Sequence, residues 1–373
     1  MIRLRHWVAV IVAFAIWLWA APAWADNIRD LEWYLGFLHI AEAQQITQGD
    51  GVIVAVLDSG VNASQPELSG NVLPGYDSIA NDIAWTDLDG HGTAMASLIA
   101  AHGKNATDGA LGIAPKARVL PVRIGVIGND NDAGKIEQGI PWAVSHGAKV
   151  ICMAFAGPGG TPDLAKAVAA AEAADVVLVA GVGNTPEATE VGMPAAYPGV
   201  VAVAGVDHDG NHADISVTGP QVVLSAPAVD IVAPRANGQY SSAKGTSDAT
   251  AIVAGVAALV RSKYPTMFAA EVVHRLTATA TDKGPPGRDD QYGYGIVNPV
   301  AALTADVPPL SASPSAHPGT GGQQSSPIAA PSGGTPGTLV GVLVALLVAG
   351  AVGGVLVGLA WNRHQRRGSA LGD

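Results

Sequence analysis

The chain has almost no cysteine: a single one, Cys152, in 373 residues. A lone thiol excludes an internal disulfide, even in an oxidising compartment. Set in the apolar run Val150-Ile151-Cys152-Met153, it reads as a small buried hydrophobe in a strand rather than a nucleophile. Basic residues are also scarce. Twenty Lys and Arg stand against 31 Asp and Glu, a formal net charge of -11. With no basic patch to offset that balance, nucleic acid is excluded as an expected partner. Two stretches lack charge in a more local way. Residues 339–361 carry no charged side chain, and residues 307–337 carry no Lys or Arg. Residues 306–337 are also poor in large apolar side chains, being mostly Pro, Gly, Ser, Ala and Thr. Such a segment cannot bury enough surface to offset its ordering entropy.

The two ends are read from what surrounds these gaps. Arg3 and Arg5 precede an apolar run over 7–21, and Ala23-Trp24-Ala25 places small residues where a signal peptidase reads. Residues 1–25 are therefore expected to be a secretory signal peptide. At about 1.5 Å per residue, the uncharged run 339–361 reaches roughly 34 Å, enough to cross about 30 Å of hydrocarbon. Trp361 suits an interface, and Arg363, His364, Arg366 and Arg367 follow it. The positive-inside rule then predicts a transmembrane helix over 338–361 and a basic cytoplasmic tail over 362–373. Residues 306–337 become a disordered linker, and residues 26–305 an extracytoplasmic domain. This is a single-pass type I arrangement in the cell membrane, with the lipid bilayer as one partner.

Within 26–305 the pattern alternates. Continuous apolar, β-branched runs lie at 52–57, 118–122, 149–154, 176–180 and 200–206; Ala-rich, helix-length segments lie at 91–101, 136–146, 164–174 and 247–264. Unbroken runs of this kind belong to parallel strands covered on both faces. The expected class is α/β, with a mostly parallel central sheet between helices. Sites in such sheets form beyond the carboxyl ends of the strands. Asp58, which ends the first strong strand, is thus expected on the functional edge.

Four short segments carry candidate chemistry: Asp58-Ser59-Gly60, Gly90-His91-Gly92-Thr93, Gly183-Asn184 and Gly245-Thr246-Ser247. Each taken singly is an ordinary turn or cap. Together they supply what acyl transfer requires. A serine hydroxyl needs a positioned imidazole to take its proton, and the imidazole needs a carboxylate to fix its tautomer. The developing oxyanion needs donors. The expected catalytic residues are Asp58, His91 and Ser247, with the Asn184 side chain and the Ser247 N–H as the oxyanion hole.

Over about residues 46 to 300 the sequence resembles the subtilase (S8, subtilisin-like) family of serine peptidases. The resemblance rests on the texts Gly51 to Val61, His91 to Ala96, Gly112-Ile113-Ala114-Pro115, Tyr197 to Val203 and Gly245-Thr246-Ser247, closing with Tyr292 to Asn298. The order Asp, His, Ser is also that of subtilisin. The resemblance implies a three-layer subtilisin-like fold and serine endopeptidase activity on proteins or peptides. It further implies a substrate cleft lined by Ala154, Phe155, Ala156 and Gly157. The layout of signal peptide, domain, Pro-rich linker and anchor resembles the mycosins, the subtilases associated with type VII secretion. The expected function is a membrane-anchored extracytoplasmic serine endopeptidase acting on secreted or cell-envelope proteins. The alternative is a non-catalytic scaffold of a secretion-system membrane complex, and an esterase with the same triad is a third.

This chain departs from the family in places. Asp248 follows the expected nucleophile where an apolar residue is usual, and Ala251 replaces a proline. Residues 26–50 are too few for an independent prodomain core; Leu31, Trp33, Leu35 and Leu38 are instead expected to lay a short helix on the domain. No cofactor is expected. Asp130-Asn131-Asp132 has oxygen chemistry suited to calcium, but without further ligands it reads as a solvated loop.

Overall fold

A computed structural model describes residues 28–81, 86–105, 107–125 and 133–310. The expected signal peptide, the expected linker beyond 310, the expected transmembrane helix and tail, and Asp130-Asn131-Asp132 lie outside the described residues. No described helix is long and apolar enough to cross a membrane.

Three short helices come first: α1 (Ile28–Leu31), α2 (Trp33–Phe37) and α3 (Ile40–Ile46). They are followed by β1 (Ile53–Asp58), β2 (Tyr76–Asp77), α4 (His91–Ala100), β3 (Arg118–Arg123), α5 (Ala133–Ser145), β4 (Val150–Met153) and α6 (Pro162–Ala173). Next are β5 (Val177–Gly181), β6 (Val200–Val206), β7 (Val222–Pro227), β8 (Ile231–Pro234) and β9 (Tyr240–Ala243). The chain then forms α7 (Thr246–Lys263), α8 (Ala269–Ala278) and α9 (Pro299–Thr304).

Seven strands form one sheet in the order β2-β3-β1-β4-β5-β6-β7, with every pairing parallel. Strands β8 and β9 make a separate antiparallel pair. The period of two in a strand sends alternate side chains to opposite layers. Val54 and Val56 of β1, Val150 and Cys152 of β4, and Val177 and Val179 of β5 enter one apolar layer, shared with α4 and α7. Ala55 and Leu57, Ile151 and Met153, and Leu178 and Ala180 enter the other, shared with α5 and α6. Both faces are therefore dry, which is why these strands read as continuous apolar runs. Helix α7 is buried along nearly its whole length, so it shows no single apolar stripe.

The amino-terminal segment differs from the single short helix expected. Tyr34 is fully buried and anchors it, with Leu38, Ile40 and Ala43, whereas Leu31 is 46% exposed. Trp33 and Leu35 are half-buried against the same core. Polar ties fix the segment to distant loops. Trp33 Nε1 donates to the Val229 carbonyl at 3.0 Å, and Gln44 Nε2 donates to the Gly112 and Ile113 carbonyls.

Strand β1 has β3 on one side and β4 on the other, so chain order reverses direction there. That is the topological switch point at which open α/β sheets form crevices beyond strand ends. Asp58 is the last residue of β1.

Candidate active site

Two strand carboxyl ends and two helix starts converge at this crevice. Asp58 closes β1, His91 opens α4, Asn184 follows β5, and Ser247 is the second residue of α7. Helix α4 approaches β1 so closely that a Cβ on Gly92 would lie 2.0 Å from the Gly60 carbonyl oxygen and 3.1 Å from Asp58 Oδ1. Only glycine fits that contact. Gly90, just before the helix, takes a φ of 89°, a left-handed conformation glycine adopts without strain.

His91 Nδ1 lies 2.9 Å from both carboxylate oxygens of the fully buried Asp58. Asp58 Oδ1 also accepts from the Ser59 N–H at 2.7 Å. With Nδ1 engaged, the opposite ring nitrogen, Nε2, is the one available for proton transfer. Burial alone would disfavour the imidazolium, but the charge and hydrogen bond of Asp58, then Asp248 and Asp89, outweigh it and raise His91 to about 9. Asp248 is pushed up by burial, against the pull of His91 and Arg235, to about 7.

Ser247 Oγ donates to the Ala154 carbonyl at 2.7 Å and forms no hydrogen bond with His91. Proton transfer to the imidazole requires this hydroxyl to give up its bond to the Ala154 carbonyl. Looser contacts of this kind are ordinary before substrate binds. Asn184 Oδ1 accepts from the Thr246 N–H at 2.9 Å and from Thr246 Oγ1 at 3.2 Å. With its carbonyl so engaged, the amide's two N–H donors are left free beside the start of α7. Residues there already present unsatisfied N–H groups.

A cavity of about 440 Å³ adjoins Ser247, walled by Phe155, Ala156 and Gly157 on one side and by residues 183–193 on the other. Ala154 stands apart from the expected cleft lining. Its side chain is fully buried in the core, and only its carbonyl reaches Ser247. Cys152, one strand residue from this edge, is fully buried, and burial pushes its thiol well up, so it behaves as the core hydrophobe expected.

Sequence reasoning missed the frame that holds His91. Asp87 Oδ1 accepts from Ser59 Oγ at 2.7 Å and from the Gly90 N–H at 2.8 Å; its Oδ2 accepts from the Thr93 N–H at 2.9 Å and from the Thr93 hydroxyl. Ser59 Oγ in turn accepts from the Gly92 N–H at 3.0 Å. The signal available was an acidic residue shortly before a helix start, a common capping pattern. Among the described residues, no group of three or more His, Cys, Asp or Glu side chains is placed to hold a metal.

A carboxylate–imidazole pair beside a helix-borne serine, an amide donor and an adjoining apolar slot form the arrangement of a serine hydrolase on an α/β sheet. The subtilase family model matches residues 49–295, and the chain belongs to that family. It is a subtilisin-like serine endopeptidase. It is 38% identical over 271 residues to a thermostable alkaline protease of Halalkalibacterium halodurans, covering 72% of this chain and 73% of the relative. It is 33% identical over 349 residues to mycosin-1 of Mycobacterium tuberculosis, covering 77% of this chain and 76% of the relative. The crystal structure of MycP1 with the N-terminal propeptide removed matches with a TM-score of 0.65 at 31% identity, over 75% of this chain and 98% of that one. MycP3 protease from the type VII (ESX-3) secretion system matches at 0.65 and 32%, over 74% and 88%. The chain is thus a mycosin-like subtilase.

Proposed function

We propose that this chain is a membrane-anchored, extracytoplasmic serine endopeptidase that cleaves secreted or cell-envelope proteins. Ser247 Oγ attacks the scissile carbonyl carbon while its proton passes to His91 Nε2, and Asp58 steadies the imidazolium through Nδ1. The carbonyl oxygen gains the negative charge, met by Asn184 Nδ2 and the Ser247 N–H. Collapse of the tetrahedral species expels the amine, which takes the proton from His91. Water then repeats the sequence on the acyl-enzyme and frees Ser247.

The observation that carries this reading is the Asp58–His91 pair at 2.9 Å, held where the amino terminus of α7 presents Ser247. Anchoring and a place beside a secretion-system membrane complex rest on the sequence at 338–361 and on the likeness to mycosin-1 and to MycP3.

The test uses the full chain and its Ser247→Ala variant with a fluorophosphonate probe that labels only activated serines. Labelling of the parent and none of the variant is the expected result. A folded parent that resists the probe overturns the catalytic assignment and favours a scaffold role.

A further inference from the structure

The cavity beside Ser247 has a chemistry of its own. Its two walls are tied together: the Gly157 and Met193 backbones exchange hydrogen bonds, each N–H donating to the other's carbonyl at 2.8 Å. Between them Gly192 has no room for a side chain, since a Cβ there would lie 2.9 Å from Ala156 Cβ. The result is a slot of fixed width rather than an open groove.

Its inner surface is apolar. Phe155 is 4% exposed and Val191 8% exposed, with Ala156, Ala188 and Met193 beside them. No Lys, Arg or His lines the cavity, yet Glu187 and Glu190 do. Both carboxylates are solvent-exposed, and neither makes a hydrogen bond or ion pair with a described residue. The slot therefore pairs an apolar barrel with uncompensated negative charge. A side chain that suits both has a methylene stem to lie along the apolar walls and a cationic head to reach the carboxylates. Lysine and arginine have that form. A leucine satisfies only the walls, and a glutamate meets like charge.

Resting on the endopeptidase reading above, we infer that this slot receives a lysine or arginine side chain from the residue whose carbonyl Ser247 attacks, with Glu187 and Glu190 as specificity-determining residues. Because both carboxylates face water, each contributes as an exposed pair does. Together they give a preference of roughly twofold to thirtyfold over a neutral side chain at low salt. The preference is screened as ionic strength rises.

The experiment measures kcat/KM of the full chain on four peptides identical except for Lys, Arg, Leu or Glu at that position, at low and high salt. Fluorophosphonate labelling runs in parallel. The parent is expected to favour Lys and Arg over Leu by at least about twofold, with Glu poorest. The Glu187→Gln/Glu190→Gln variant is expected to keep its labelling and bring the Lys-to-Leu ratio close to one. Salt should lower the same ratio in the parent, a readout that does not depend on any variant folding. Equal or faster cleavage after Leu by a labelled parent overturns the inference and leaves the peptidase reading standing. An unchanged ratio in a labelled double variant does the same. Absence of both labelling and hydrolysis in the parent removes the peptidase reading and this inference with it.

Discussion

His91 meets opposing demands. It must be neutral to take a proton from Ser247, yet three carboxylates, Asp58, Asp248 and Asp89, favour its charged form. With the imidazole raised to about 9, most of the population at pH 7 is imidazolium and cannot act as base. kcat/KM is therefore expected to climb with pH to a plateau above about 9, standing at pH 7 near a hundredth of that plateau. Asp248, pushed up by burial to about 7, is half ionised at the foot of this range and ionised through the rest, while Arg235 partly offsets its charge and Tyr34 lies near it. Asp248→Asn removes one negative neighbour and is expected to move the acid limb to lower pH, with neutral-pH activity raised. A pH–rate profile of parent and variant decides it: coincident acid limbs would mean that Asp248 does not set the charge of His91. The stability consequence has a definite sign. A raised imidazole pKa stabilises the fold in full below the ordinary value near 6.5, and that contribution fades as pH rises through about 9.

At the scale of elements, the amino-terminal helices α1 to α3 carry an unusual acid. Glu32 is 2% exposed, and burial pushes its carboxyl to about 8, against the Leu111 N–H, the Tyr34 hydroxyl and Arg29, which favour the charged form. The nearby buried Glu67 adds a small push upward. A carboxyl raised in this way stabilises the docked segment in full below its ordinary value near 4.5. The contribution is lost as pH rises through about 8. Glu32→Gln is expected to flatten the pH dependence of docking, read by hydrogen exchange of the Tyr34 to Ile46 amides between about pH 5 and pH 9. An equal pH dependence in parent and variant would locate the sensitivity elsewhere. This segment also shows where sequence patterns stop being readable. Strands β1, β4, β5 and β6 were legible because dry layers on both faces demand unbroken apolar runs. Strand β9, Tyr-Ser-Ser-Ala, is half-exposed and carries no such run, and β2 is two residues long. Asp58, His91 and Ser247 could be singled out as candidates because each sits at the end or start of a regular element, and Asn184 because it follows one within three residues. Asp87 joins Ser59, 28 residues away, to Gly90 and Thr93 close by, and the pair Glu187 and Glu190 lie in a loop with no hydrogen-bond partner among the described residues. No local periodicity points to them.

At the scale of the whole molecule, the proposed membrane anchor rests on the sequence beyond the described residues. Residues 339–361 hold 23 residues without a charge, and the four residues Arg363, His364, Arg366 and Arg367 follow within six positions. An uncharged run of that length is expected to be favourable in hydrocarbon, and a basic cluster after it to favour the cytoplasmic side. Charge placed at its middle should reverse the preference, since an arginine at a helix centre costs about 2.5 to 3.5 kcal/mol on insertion scales. The full chain is therefore expected to stay with membranes through an alkaline carbonate wash. Leu346→Arg/Leu347→Arg is expected to release it, with fluorophosphonate labelling of Ser247 retained. Retention of the double variant on washed membranes would assign attachment to a partner protein rather than to this segment. Release of the parent would remove the anchor from the proposal while leaving the site chemistry untouched, because Asp58, His91, Asn184 and Ser247 are all held by elements that end before residue 264.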